Sequence, residues 1–214
     1  MFAEIDEEIR RERLKQLWDR YGAHAIAVAL VIVLGMGGWR GYQWWEARQA
    51  AEAGAAFEAA TTLVEQDKHA EAEAAFAKIA ADAPFGYRIL ARFGEAASLG
   101  QRDPQAAVKI YDMIAIDSSA GPVLQDLANV RAGMLLADTE PYDSLRARLE
   151  PLTSADRAFR HTARELLAFA AWRGNNSEAA KQWIEMIVAD AETPASTRNR
   201  IDMLTALTGT HAKG

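Results

Sequence analysis

The chain has no cysteine among its 214 residues. That excludes a disulfide framework, a zinc–thiolate site and a thiol nucleophile. It also lacks an excess of positive charge: 24 Lys and Arg stand against 30 Asp and Glu, a net charge of −6. A general nucleic-acid binder needs a basic face to neutralise phosphates, so that class is set aside. Strand signals are scarce, with short β-branched runs, no alternating apolar and polar pattern and no Asn-Gly hairpin turn. The four histidines, His24, His69, His161 and His211, lie far apart and form no HExxH pattern. For the last three the expected role is solvation or capping. The glycine-rich "LGMGG" sits inside an apolar run rather than between a strand and a helix, which rules out a phosphate loop. The acidic pairs Glu71/Glu73 and Glu185/Asp190 read as solvated helix faces. No catalytic constellation, metal site or cofactor site is left, and a non-enzymatic protein is expected.

Strong helix formers are abundant, especially after residue 46, which favours an all-α fold. The longest apolar run, Tyr21 to Trp39, holds 19 residues without Asp, Glu, Lys or Arg. As a helix rising about 1.5 Å per residue it spans roughly 28 Å, close to the hydrocarbon thickness of a bilayer. Trp18 and Tyr21 precede it, and Trp39, Tyr42, Trp44 and Trp45 follow it, as an aromatic belt does at the two interfaces. The acidic N-terminal segment and the lack of an A-x-A site after the run favour an uncleaved span over a signal peptide, with a buried soluble helix as the third reading. Arg10, Arg11, Arg13, Lys15 and Arg20 precede the run, whereas residues 40–60 carry Arg40 and Arg48. This asymmetry predicts a cytoplasmic N-terminus and an exported C-terminal domain. Gly37 and Gly41 have the small-x-x-x-small spacing that permits close approach of a neighbouring span.

The expected organisation is therefore a charged helical tail (1–20) that runs into the span, a transmembrane helix (21–41), a juxtamembrane helical linker (42–52) and a helical-hairpin domain (53–214). Helices are expected at 46–66, 69–82, 86–99, 104–116, 122–137, 142–151, 156–173, 177–190 and 195–208, separated by Pro, Gly, Asn and Ser turn signals. Asp103, and Asn176 or Ser177, are expected N-caps. Ala72, Phe76 and Ile79, followed by Pro84, have the spacing of the second helix of a tetratricopeptide repeat. Ala106, Ile110 and Met113 recur 34 residues later, and Ala179, Trp183 and Met186 repeat the spacing. Gly94 falls where a small residue of a first helix would face a bulky residue of a second. Each hairpin leaves an apolar face that only the next can cover, so the hairpins stack as a solenoid closed by the last helix. The pair at 122–151 fits the repeat poorly, which leaves the repeat count open.

The inner face of such a stack is lined by first helices and suits peptides or partner helices. Its candidate contacts are Tyr87, Arg88, Arg92, Asn129, Arg131, Arg160, Arg164 and the Trp172-Arg173 pair. Tyr87 and Trp172 have a competing role as inter-repeat core, which is favoured for both.

Taken in order, "LWDRYG", one span, "WRGYQWWEARQ", "GYRILARFGEAA", "AAVKIYDMIAIDSSAGPVLQDLANVRAGMLLAD", "LRARLEPL" and "SEAAKQWIEMIVADAETPASTRNRIDML" resemble the YfgM-like family of ancillary SecYEG translocon subunits, in its alphaproteobacterial branch. The resemblance covers nearly the whole chain. It implies an inner-membrane protein with a periplasmic repeat domain and no catalytic residues. It further implies partners at the Sec translocon, periplasmic chaperones and a role in handling newly exported polypeptides. The alternative is an accessory structural subunit of another inner-membrane complex, respiratory or cell-division, packed through its span.

Overall fold

A computed structural model describes residues 2–208. His211 and the side chains of Arg10, Arg11 and Arg13 lie outside the described residues. The described residues are almost entirely helical: α1 (Phe2–Glu65), α2 (His69–Asp82), α3 (Phe85–Leu99), α4 (Pro104–Ile116), α5 (Pro122–Leu136), α6 (Tyr142–Leu149), α7 (Arg160–Arg173), α8 (Ser177–Ala189) and α9 (Ala195–Thr208). Two 3₁₀ turns, Ser118–Ala120 and Glu150–Leu152, interrupt the series. The chain divides into two compact units, residues 1–52 and 53–214.

The first unit is α1 up to Glu52. Tail, apolar run and following segment form one helix rather than a helix restarting at 46, because no proline or turn sequence interrupts them. The glycines at 35, 37, 38 and 41 do not break it. This is the one helix among the described residues long and apolar enough to cross a membrane. Its apolar side chains are uncovered, Leu34 at 71 % exposure and Val31 at 70 %, so it is not the buried helix of a soluble core. Trp39, Tyr42, Trp44 and Trp45 are all exposed. At about 100° per residue they point to different sides of the helix, a collar rather than the single apolar stripe of a helix lying flat on a membrane. Just beyond, the Arg48 guanidinium lies over the Trp44 ring and donates to Glu52 at 3.0 Å.

The second unit is a row of antiparallel helices in which most packing is with the next or next-but-one element. Local chemistry sets the breaks. Asp67 and Asn175 end their helices in the left-handed conformation (φ 58° and 56°) that Asp and Asn tolerate. Asp103 and Asn176 cap α4 and α8 by accepting from the backbone N–H of Ala106 and Ala179. Helix α6 stops at Leu149, short of the expected 151, where Pro151 shapes a 3₁₀ turn. Helix α7 starts four residues later than expected, because Ser154 and Asp156 hydrogen-bond each other at 2.7 Å in a turn that competes with helix.

The repeat is present, with a corrected register. Ala72, Phe76 and Ile79 are buried as expected, but Met113 is 55 % exposed and Met186 40 % exposed. The buried counterparts are Ala107, Tyr111 and Ile114, set 35 residues on and matching Ala, aromatic and Ile in turn. In α8 the buried set is Ala180, Ile184 and Ile187, with Ala179 and Trp183 beside them. Phe93 packs on Tyr111 at 5.8 Å between ring centroids, and of the expected set on α4 Ile110 is buried too while Met113 is not. Gly94 behaves as expected: a Cβ there would lie 2.8 Å from the Phe76 ring. Gly133 plays the same part beneath Leu149, where a Cβ would meet the side chain at 3.0 Å. A continuous core runs through Ile114, Val130, Leu145, Leu149, Leu167, Ile187, Ile201 and Leu204, and a smaller one around Phe76, Ile79 and Ala91 includes the C-terminal turns of α1. Trp183 donates to the Tyr142 hydroxyl at 2.9 Å, joining α8 to α6.

Candidate functional site

Helices α3 and α5 pack most closely on the helices that precede them, α2 and α4, and α7 on the helix that follows it, α8; each of the three is covered on one side. On α5, Asp126, Ala128, Val130, Ala132, Gly133 and Leu136 are buried. Val123, Arg131 and Met134 are exposed and Leu127 is half-buried, a set recurring at helical spacing along one face. On α3 the open face carries Gly86, Leu90 and Ala97. On α7 it carries the half-buried Leu166 and Phe169 and the exposed Trp172.

Most of the cations expected there make contacts within the fold. Arg92 reaches Asp117 at 3.2 Å. Asn129 donates to the Gln125 carbonyl at 3.2 Å and accepts from Arg148 at 3.3 Å, while Arg148 pairs with Asp112 at 2.5 Å. Arg160 binds Asp190 at 3.0 Å and also Glu192. Arg164, 6 % exposed, donates to the Thr153 carbonyl at 2.9 Å and to Asp190 at 2.8 Å. Tyr87 is half-buried in the smaller core, its ring 6.3 Å from Phe57 and its hydroxyl where a Cβ on Gly54 would approach to 2.9 Å. Arg88 and Arg131 are exposed, and so is Trp172 at 42 %. Gly37 and Gly41 are exposed on α1, with no heavy atom within 4 Å of a Cβ built on either.

Asp190 corrects the expectation of solvated acidic pairs. It sits where α8 ends, under the guanidinium groups of Arg160 and Arg164, and the Arg160 hydrogen bond above all holds its carboxyl well below the usual carboxylate range. His161 leans on the same group, with Nδ1 3.2 Å from the Thr193 hydroxyl. Burial first, and then the Arg160 charge, push its pKa down. Arg198 of α9 closes the arrangement by donating to the carbonyls of Asp190 (2.7 Å) and Thr193 (3.2 Å). Glu73 is likewise not free, since Arg102 donates to it at 2.6 Å. Sequence spacing could not show these pairs, because their members lie 26–30 residues apart. Asp117 is held low chiefly by hydrogen bonds from Ser119. Among the described residues no group of His, Asp and Glu could hold a metal ion.

The fold and this face define a class: an all-α protein of stacked helical hairpins behind one apolar helix of membrane-spanning length. The chain belongs to the tetratricopeptide repeat-like domain family, which it matches over residues 15–182. It is also similar to the ancillary SecYEG translocon subunit of Haemophilus influenzae, with 28% identity over 127 residues, covering 59% of this chain and 62% of that protein. The similarity thus spans less than two thirds of the curated relative. No solved structure matches the chain significantly.

Proposed function

We propose that the protein is a non-enzymatic adaptor of the bacterial inner membrane, working at the Sec translocon with periplasmic chaperones on polypeptides being exported. In this reading residues 1–20 are a cytoplasmic tail, 21–41 the span, 42–52 a linker and 53–214 a periplasmic repeat domain. The observation that carries it is the union, in one chain, of a lipid-compatible helix and a repeat domain of a kind that works by binding other polypeptides. The named relative supplies the translocon as the assembly, and the Lys and Arg asymmetry supplies the orientation. Exposed Arg88, Arg131 and Trp172 are the contacts on the repeat domain, while Tyr87, Arg92, Asn129, Arg160 and Arg164 have partners within the fold.

Purification of the full chain in mild detergent, with identification of its companions, tests the assembly. Translocon subunits or periplasmic chaperones are expected, and their absence refutes the reading. A reporter fused after Gly214 and active only in the cytoplasm overturns the orientation. The second reading, a structural subunit of another inner-membrane complex, is favoured by the uncovered Gly37/Gly41 edge. Crosslinks arising only from the span and tail, to one fixed complex, decide for it.

A further inference from the structure

We propose that His161 makes the seating of α9 depend on pH: in acid the imidazole takes a second proton and leaves its place beside Thr193, and α9 detaches from α7 and α8 while the rest of the row stays folded. The inference concerns the fold itself and does not depend on the adaptor reading.

Helix α9 is lightly held. It packs chiefly on α7 and α8. Its buried apolar side chains, among the described residues, are Ile201 and Leu204. Its other ties are polar. Arg200 and Thr197 bind Glu165 of α7, and Arg198 donates to the Asp190 and Thr193 carbonyls. The turn that delivers α9, residues 190–194, therefore carries much of its anchorage, and His161 stands against that turn.

The hydrogen bonds fix where the protons sit. The buried Thr193 hydroxyl has one proton and gives it to the Ile187 carbonyl at 2.8 Å. Its oxygen therefore accepts from His161 Nδ1 at 3.2 Å. The neutral ring carries its proton on Nδ1, and acid adds one at Nε2. No neighbouring carboxylate is open to the resulting cation. Asp190 Oδ2 lies 3.8 Å from Nδ1, but it already accepts from Arg160 at 3.0 Å and Arg164 at 2.8 Å. Its Oδ1 accepts from the Glu192 backbone N–H at 3.0 Å. Glu192 pairs with Arg160, and Glu165, one turn further along α7, is taken by Arg200. The guanidinium groups of Arg160, Arg164 and Arg198 thus outnumber the carboxylates of Asp190 and Glu192 around this turn.

A protonated His161 adds a further cation to that excess, on a side chain only 14 % exposed. Burial first, and then the Arg160 charge, disfavour it there. Once the turn opens, water solvates the ring and the proton binds more readily, so protons favour the detached helix. Asp190, held low by the Arg160 hydrogen bond above all, stays ionised through this range and leaves His161 as the group that changes.

Hydrogen exchange of the full-length chain in lipid nanodiscs tests this, followed by mass spectrometry at about pH 7.5 and about pH 5, with times scaled for intrinsic amide exchange. Opening of α9 should rise severalfold at the lower pH. The rise should not exceed the factor of about thirty that one proton on a group of reference pKa about 6.5 can supply. Segments from α4 should keep their protection. His161→Gln, uncharged at both pH values, should flatten the α9 ratio, and His211→Gln should leave it as in the parent. The ratio decides, so a variant that loosens α9 at both pH values is still read. Equal α9 protection at the two pH values overturns the proposal. So does a loss of protection shared with α4, an undiminished ratio in His161→Gln, or a flat ratio in His211→Gln.

Discussion

Gly94→Ala is a sharp test of the hairpin packing, because two effects of similar size oppose each other at one atom. In an open helix, replacing glycine by alanine stabilises by about 1 kcal/mol through backbone entropy. At Gly94 the new methyl would lie 2.8 Å from three atoms of the Phe76 ring. That ring is 3 % exposed and stands edge-on to Phe57 at 5.2 Å, so it cannot swing into solvent to make room. Overpacking of this kind costs about 1–3 kcal/mol. The net expectation is a loss of up to about 2 kcal/mol, and Gly94→Val, with two more methyls and a poorer helix former, should lose about 3 kcal/mol or more. Gly86 lies in the same helix and is the control: a Cβ there meets nothing within 4 Å, so Gly86→Ala should gain a few tenths to about 1 kcal/mol. In a unit of this size 1 kcal/mol moves the melting temperature by about 2–4 °C. Circular dichroism melts of the full chain in detergent therefore resolve the signs, with the span contributing a nearly constant baseline. Phe76→Leu should remove most of the penalty, so the double mutant with Gly94→Ala should be more stable than the sum of the single changes. A rise in melting temperature for Gly94→Ala equal to that of Gly86→Ala would refute the close approach of α2 and α3.

Four further outcomes follow. Because the folded pKa of Asp190 is depressed, its stabilisation is present above the normal carboxylate range and fades as pH falls below about 4; Asp190→Asn should lower the melting temperature at pH 7 and converge on the parent in acid. The folded pKa of His161 lies below its unfolded value of about 6.5, so protonation opposes folding and stability should decline as pH falls through that value; in His161→Gln, pH-dependent melts should show that slope reduced. Trp183→Phe and Tyr142→Phe should each cost about 1 kcal/mol in urea titrations, and together clearly less than the sum, since both remove one hydrogen bond. Asp103→Ala and Asn176→Ala should each cost about 1 kcal/mol in the same titrations through the loss of a helix cap.

Much of the architecture was legible because its determinants are local. Pro104 with Asp103, and the Gly174-Asn175-Asn176 turn, place α4 and α8 directly, and α2, α4 and α9 have their expected bounds. The register of the second repeat was harder. Ala106, Ile110 and Met113 satisfy the same spacing as Ala107, Tyr111 and Ile114, and packing from other helices, which buries Ile110 but leaves Met113 exposed, decides between them. The start of α7 was misplaced for a related reason, since the Ser154 and Asp156 side chains outcompete a helix that propensity alone permits. At the candidate site, helical spacing put Arg92, Arg160 and Arg164 on an inner face but could not show the state of their charges. Arg92, Arg160 and Arg164 look like free cations in the sequence, and their acids lie 25–30 residues away. Tyr87 fell on the core side of its two expected roles, whereas Trp172 is exposed.

The Asp190 junction bears on how the molecule comes into being. Helix–helix packing is mostly between neighbours in sequence, so a chain arriving from its N-terminus can close each hairpin on the last without waiting for distant segments. The junction cannot form that way, because Arg160 and Arg164 arrive well before Asp190, and Arg198 later still. Until then two guanidinium groups of α7 remain without their counter-ion and the core around Ile201 and Leu204 stays open. Asp190 and α9 therefore act as a latch, and nascent or truncated chains that lack them expose an apolar, positively charged end available to chaperones and proteases.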